Sequence, residues 1–287
     1  MAETGNILHN IKKGVFIQMS LYIEVDHDRH IDLFVQDIGE GQPIVFLHGW
    51  PLNHQMFEYQ MNTLPRKGYR FIGIDLRGFG KSDKPAFGYD YDTLAHDVKT
   101  VVEYLQLENF YLTGFSMGGP IAIRYATKFA NKELAQLILA GPAAPSFTQR
   151  EGYNHGMKKE EVDGLIEALQ SDRPAALKDF GEGFYHSDIS EPFGEWFHSL
   201  GLEASSHATI ACAESLRDED LREEVSQIEV PTLLLHGKHD EICDYAFSEI
   251  LNEKIPNSTL VPFENSGHGM VYDEKEKFNQ TLLDLLK

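Results

Sequence analysis

Ser116 stands in the run Gly114-Phe115-Ser116-Met117-Gly118-Gly119, a G-x-S-x-G pattern followed by one more glycine. A β-prone run, Phe110-Tyr111-Leu112-Thr113, precedes it, and a helix-compatible stretch, Pro120 to Ala130, follows. A serine at such a strand-to-helix junction sits on a turn so tight that small residues must flank it. The turn lifts the hydroxyl above the carboxyl ends of a parallel sheet. It also points the N–H of Met117 toward the place where an oxyanion would form. A hydroxyl is a weak nucleophile at its free pKa, so this serine needs a base, and the base needs an orienting partner.

Two later segments hold residues of those types. The apolar run Thr232-Leu233-Leu234-Leu235-His236 leads into Gly237-Lys238-His239-Asp240, which puts Asp240 in a loop beyond a strand end. Asn265-Ser266-Gly267-His268-Gly269-Met270 follows the strand-like Thr259-Leu260-Val261-Pro262 and precedes a terminal helix. Of 13 histidines, His268 alone sits in a glycine-flanked loop after the last expected strand. Upstream, Pro43-Ile44-Val45-Phe46-Leu47 reads as a buried strand ending in His48-Gly49-Trp50-Pro51. The expected roles are Ser116 as nucleophile, His268 as general base and Asp240 as the carboxylate that fixes the imidazole. The Met117 and Trp50 N–H groups would form the oxyanion hole. His48 is expected to brace that loop and Asp75 to stabilise a turn. The Asp26-His27-Asp28-Arg29-His30 cluster reads as a polar turn between hairpin strands, with no metal.

With those residues in place, the chain resembles the α/β-hydrolases of the bacterial arylesterase and cofactor-free haloperoxidase (perhydrolase) family. The resemblance is carried by His48-Gly49-Trp50-Pro51, Asp75-Leu76-Arg77-Gly78-Phe79-Gly80-Lys81-Ser82, Gly88-Tyr89-Asp90-Tyr91-Asp92-Thr93, Gly114 to Gly119 and the Asp240 and His268 loops. It spans roughly residues 20 to 287, and Ser…Asp…His is the chain order of that fold. One departure is Leu76, where the family often carries a second arginine. The resemblance implies an α/β fold with a mostly parallel eight-stranded sheet, helices on both faces and a helical cap. It further implies a serine carboxylesterase acting on short-chain or aryl esters through an acyl-serine, with no cofactor and no metal. Peracid formation from short acyl groups and hydrogen peroxide is the alternative activity. A small-molecule receptor with an intact triad is a further one. Pro51 bears on the peroxide reading, because a proline there can re-aim the Trp50 carbonyl and narrow the acyl pocket.

The elements needed to position these loops are legible in the periodicity. Leu21–Val25 and Ile31–Asp37 alternate as a half-buried hairpin. Strands are expected at 44–47, 70–74, 110–113, 134–140, 232–236 and 259–262. Helices are expected near 53–66, 91–107, 117–130, 245–255 and 274–286. Alternation of this kind implies right-handed crossovers and a parallel sheet covered on both sides. Residues 143–225 break it, being helical and rich in aromatics. They are read as a cap between the sixth strand and the Asp240 strand, with 1–142 and 226–287 as the main domain. Pro51, Phe184 and Trp196 are expected to touch substrate. Residues 1–18 form a leader of unassigned role.

Composition sets outer limits. The formal charge is −20, from 25 basic and 45 acidic residues. A field of that sign repels nucleic acid and anionic membranes, and a neutral small-molecule ester suits it better than an anionic one. No stretch approaches about eighteen consecutive apolar residues, and Met1 to Asn10 lacks the order of a signal peptide. Cys212 and Cys243 match no metal spacing and are expected as reduced thiols in a cytoplasmic protein. Oligomeric state is left open, a homo-oligomer included.

Overall fold

Ile44, Val45, Phe46 and Leu47 are all fully buried, as the central strand of a sheet covered on both faces requires. Their side chains alternate between two apolar layers, Val45 and Leu47 on one side and Ile44 and Phe46 on the other. The computed structural model describes residues 18–130 and 132–284. Apart from Gln18, the expected leader lies outside the described residues, as does the end of the terminal helix.

The strands are β1 (Gln18–Asp26), β2 (Ile31–Ile38), β3 (Gln42–Leu47), β4 (Tyr69–Ile74), β5 (Phe110–Phe115), β6 (Leu134–Ala140), β7 (Thr232–Gly237) and β8 (Ser258–Phe263). They form one sheet in the order β1-β2-β4-β3-β5-β6-β7-β8. β1 and β2 form an antiparallel hairpin, and β2 joins β4 antiparallel; every later pairing is parallel. The eight-stranded, mostly parallel α/β-hydrolase sheet expected above is therefore present. In the hairpin turn, His27 and His30 both bond to the Glu24 carboxylate.

The helices are α1 (Glu58–Thr63), α2 (Tyr91–Tyr104), α3 (Gly118–Lys128), α4 (Lys159–Glu182), α5 (Glu191–Leu202), α6 (Ser206–Asp218), α7 (Ala246–Lys254), α8 (Met270–Asp273) and α9 (Lys275–Asp284). α2, α3 and α7 pack on one face of the sheet through Leu94, Val98, Ile121 and Phe247. Phe57, Phe278 and Leu282 cover the other. Asp90 caps α2 by accepting the Thr93 N–H at 2.8 Å. The helix expected near 53–66 is instead a short α1 between two 3-10 turns, since Pro65 cannot donate to the helical ladder.

Between β6 and β7 the chain runs through α4, α5 and α6. Glu219, just past α6, accepts from the Tyr91 N–H at 2.8 Å and from Arg124 at 3.1 Å, which ties the helices to α2 and α3. α4 is interrupted at Asp172 (φ −147°, ψ 84°). The Asp172 carboxylate accepts the Ala175 N–H at 3.2 Å, and Pro174 lies between them, so a second helical segment begins there with its own cap. No helix among the described residues is long and apolar enough to cross a membrane.

Register brings the strand ends to one edge. Leu47 pairs with Ile74 and Gly114, Phe115 with Ala140, Ala140 with Leu235, and Gly237 with Phe263. The loops after β3, β5, β7 and β8 therefore emerge side by side. They carry His48 to Asn53, Ser116, Asp240 and His268.

Candidate active site

Ser116 has φ +52°, a left-handed conformation that costs a non-glycine residue energy and needs support. Support comes from three backbone bonds. Its N–H donates to Ala140 at 3.0 Å, and its carbonyl accepts from Gly119 at 2.8 Å and Ala143 at 3.1 Å. The flanking glycines have a steric reason. A Cβ on Gly114 would lie 2.2 Å from the Gly118 oxygen, and one on Gly118 would lie 2.5 Å from the Leu47 oxygen. The pattern thus records how closely β3, β5 and α3 approach.

His268 is fully buried, and its Nδ1 donates to Asp240 Oδ2 at 2.7 Å. Its Nε2 has no hydrogen-bond partner. The ring of Phe115, the residue before the serine, lies 4.9 Å from the imidazole. Asp240 Oδ1 accepts the N–H groups of Ile242 and Cys243 at 2.9 and 2.8 Å. Burial alone would raise the Asp240 carboxyl, but the charge of His268 and hydrogen bonds from His236 and His268 outweigh it and hold it well below the usual carboxylate range. His236 was not singled out from sequence. Its Nε2 donates to the Cys243 carbonyl at 2.9 Å and lies 3.2 Å from Asp240, while its Nδ1 accepts from Ser248 at 2.7 Å.

The His268 loop is clamped from below and beside. Asp273, in α8, accepts from the N–H groups of Gly267, His186 and Ser187 at 2.9, 3.0 and 3.1 Å. The Gly269 N–H donates to the Phe184 carbonyl at 2.7 Å, and the Phe184 ring stands edge-on to the imidazole at 4.9 Å.

On the other side of the serine, the Trp50 indole donates to Thr209 in α6 at 2.9 Å. The backbone N–H groups of Trp50 and Met117 take no part in the turn and loop hydrogen bonds of the described residues. His48 is buried with both nitrogens used: Nε2 accepts from the Leu76 N–H at 3.0 Å, and Nδ1 donates to Gly49 at 3.0 Å. Burial lowers its pKa to about 4, so it is neutral and braces the loop. Leu76, the departure from the family pattern, is the buried residue that supplies the donor.

Ser116 lines a cavity of about 310 Å³, walled by Trp50, Phe147, Met157, Leu165, Phe180 and Leu216. Asp179 and Glu241 are its charged members. Cys243, which the sequence marked only as a reduced thiol, is the residue whose N–H holds Asp240; burial pushes its thiol pKa well up. Both cysteines are free and buried.

The three residues expected to touch substrate do not line the Ser116 cavity. Pro51, whose peptide bond with Trp50 is cis, faces a neighbouring cavity. Phe184 is fully buried behind His268, because its ring is used to pack Phe197 and Phe115. Trp196 packs against Phe193 and lines neither cavity. Phe180 does line the Ser116 cavity. It stood among the aromatics of the segment, with no signal to separate it from them.

Comparison with known proteins agrees with this geometry. Residues 42–159 match the model of the alpha/beta hydrolase fold family, and 203–287 match that of TAP-like protein. The chain is 54% identical over 264 residues to the AB hydrolase superfamily protein YisY of Bacillus subtilis, covering 92% of this chain and 98% of that one. Among solved structures it is similar to an esterase from Exiguobacterium antarcticum, at 52% identity and TM-score 0.91, over 93% of this chain and 99% of the other. It is also similar to a bromoperoxidase from Bacillus anthracis, at 31% identity and TM-score 0.89, with the same coverage.

Proposed function

We propose that this chain, which belongs to the α/β-hydrolase superfamily, is a serine esterase whose triad is Ser116, His268 and Asp240. The observation that carries the reading is the division of labour on one imidazole. His268 Nδ1 is held by a buried carboxylate and Nε2 has no partner, and its ring packs 4.9 Å from Phe115, the residue before a serine at positive φ. An imidazole so held has one tautomer and one nitrogen left for proton transfer.

Nε2 takes the Ser116 proton as Oγ attacks the ester carbonyl. The tetrahedral oxyanion is received by the Trp50 and Met117 N–H groups, whose freedom from other acceptors supports that role. The imidazolium, stabilised by Asp240, then protonates the departing alcohol. Water, deprotonated by His268, attacks the acyl-serine and releases the acid and the free serine. Residues 143–225 act as a cap on the main domain, 1–142 and 226–287, and close the apolar chamber over Ser116. The two buried free thiols favour a cytoplasmic setting.

A second acceptor, hydrogen peroxide, is part of the same reading, and the likeness to a bromoperoxidase supports it. Peroxide attacking the acyl-serine in place of water gives a peracid and the free serine, with no change in oxidation state of the protein. The test follows free acid and peracid from phenyl acetate, with and without peroxide, in the wild type and Ser116→Ala. The variant is expected to lose both products by roughly ten-thousandfold or more while keeping its circular dichroism spectrum. Retained turnover in a pure preparation would overturn the assignment, and absence of peracid would leave ester hydrolysis alone.

A further inference from the structure

Among the described residues, Phe180 alone lines both of two neighbouring cavities. One is the Ser116 chamber; the other is larger, about 460 Å³, and lies between the second half of α4 and α5. Its apolar wall is Pro51, Leu52, Leu177, Ile189 and Phe197. The boundary follows the chain, since Trp50 faces the chamber while Pro51 faces the second cavity. The Phe180 ring stands edge-on to the Trp50 indole at 4.8 Å, half-buried and packed against the apolar layers of both sides.

Phe180 is also placed where it can turn. It belongs to the segment after the Asp172 interruption, which does not share the first segment's hydrogen-bond ladder. A Cβ on the adjacent Gly181 would meet nothing within 4 Å, and one on Gly183 would meet only Glu241 Oε2 at 4.0 Å. The backbone beside the ring is not wedged in place.

We propose that the α4–α5 cavity is a second apolar subsite, reached from the chamber by rotation of Phe180, that takes the distal end of a long acyl chain. The proposal rests on the esterase reading. Short acyl groups stay in the chamber; longer ones pass Phe180 and leave water at their far end. Each methylene transferred from water into such a cavity is worth roughly fourfold in specificity constant.

The experiment measures kcat/KM for p-nitrophenyl esters from acetate to decanoate in the wild type, Gly194→Leu and Phe180→Ala. Gly194 lines the far cavity, and a leucine there fills it while improving helix propensity in α5. The decanoate-to-acetate ratio is expected to fall at least tenfold in Gly194→Leu and to rise at least threefold in Phe180→Ala. A ratio unmoved in Gly194→Leu, with acetate still cleaved, would overturn the subsite and leave the esterase reading standing. If the wild type cleaves no ester, that reading fails separately, and 1-octanol binding by calorimetry decides the subsite. Affinity at least tenfold weaker in Gly194→Leu than in the wild type upholds it; equal affinity, or no binding to the wild type, overturns it.

Discussion

Among the described residues, the buried carboxylates Asp240 and Asp75 are each set between two histidines, in different surroundings. Asp240 receives His268 at 2.7 Å and lies 3.2 Å from His236; Asp75 receives His54 at 2.7 Å and faces His48. Burial would raise the Asp75 carboxyl too, but the hydrogen bond and charge of His54, with His48 beyond, hold it below its usual range. Around Asp75 the remaining bonds go to backbone: the N–H groups of His54 and Lys81, at 2.8 and 2.9 Å, close the loops after β3 and β4 on each other. Around Asp240, His268 Nε2 is buried with no partner, whereas His54 lines a separate cavity. An aspartate–histidine pair is thus a fastening wherever its neighbours are loops. Under the proposed function, the Asp240 pair is instead the one that serves proton transfer to and from Ser116.

The comparison breaks most sharply on removal of each imidazole. His268→Ala is expected to lower kcat by roughly ten-thousandfold or more, and to cost stability as well, since it too removes the partner of a buried carboxylate. His54→Ala should leave kcat within about tenfold but cost on the order of 3 kcal/mol of stability, since it strands a buried carboxylate. Ester turnover and urea unfolding of both variants check this. Comparable losses of kcat would dissolve the distinction.

The next effect depends on pH. His48 titrates near 4 when folded and near 6.5 in a free chain. Between those values the unfolded state binds more protons, so stability rises with pH. The His48 contribution is complete above about pH 6.5 and is lost as pH falls toward 4, a span of about 3 kcal/mol. Unfolding free energies of the wild type and His48→Gln, compared from pH 7 to 4, are expected to converge on acidification. Parallel curves would mean that His48 is not held neutral by burial.

The smallest effect sharpens the boundary of the Asp240 region. Phe184 packs on His268 and lines neither cavity. Phe184→Leu should therefore lower the unfolding midpoint by a few degrees through lost core contacts. The acetate-to-hexanoate ratio of kcat/KM should stay within about twofold. A larger shift in that ratio would return Phe184 to the substrate contacts.

The sheet and its loops were readable because each rests on local rules. Buried strands are short apolar runs, and the glycines around Ser116 stand where backbones approach to within less than a side chain. The ordered Ser116, Asp240 and His268 loops were likewise found from strand ends alone. The second tier was not. His236 and Cys243 meet Asp240 only through the folding of the loop after β7, and no spacing rule encodes that. Among the aromatics of residues 143–225, Phe180, Phe184 and Trp196 carry equal apolar weight. Which one faces the chamber depends on helix rotation and on the interruption at Asp172, both set by packing. The helix expected near 53–66 is shortened by Pro65 on one side and by the 3-10 turn over His54–Phe57 on the other.

That interruption has a thermodynamic consequence. Split at Asp172, α4 leaves a segment of about ten residues to wall both cavities, and helices of that length are marginal in water without tertiary contacts. What orders it is tertiary packing, of Ala176 and Leu177 in the core and of Phe180 against Trp50. Mass action then makes ligand binding and the folding of this wall a single linked equilibrium. A saturating ligand at a hundred times its Kd adds about 2.7 kcal/mol to the closed state. A ligand that needs this wall folded therefore makes the segment more stable as its concentration rises.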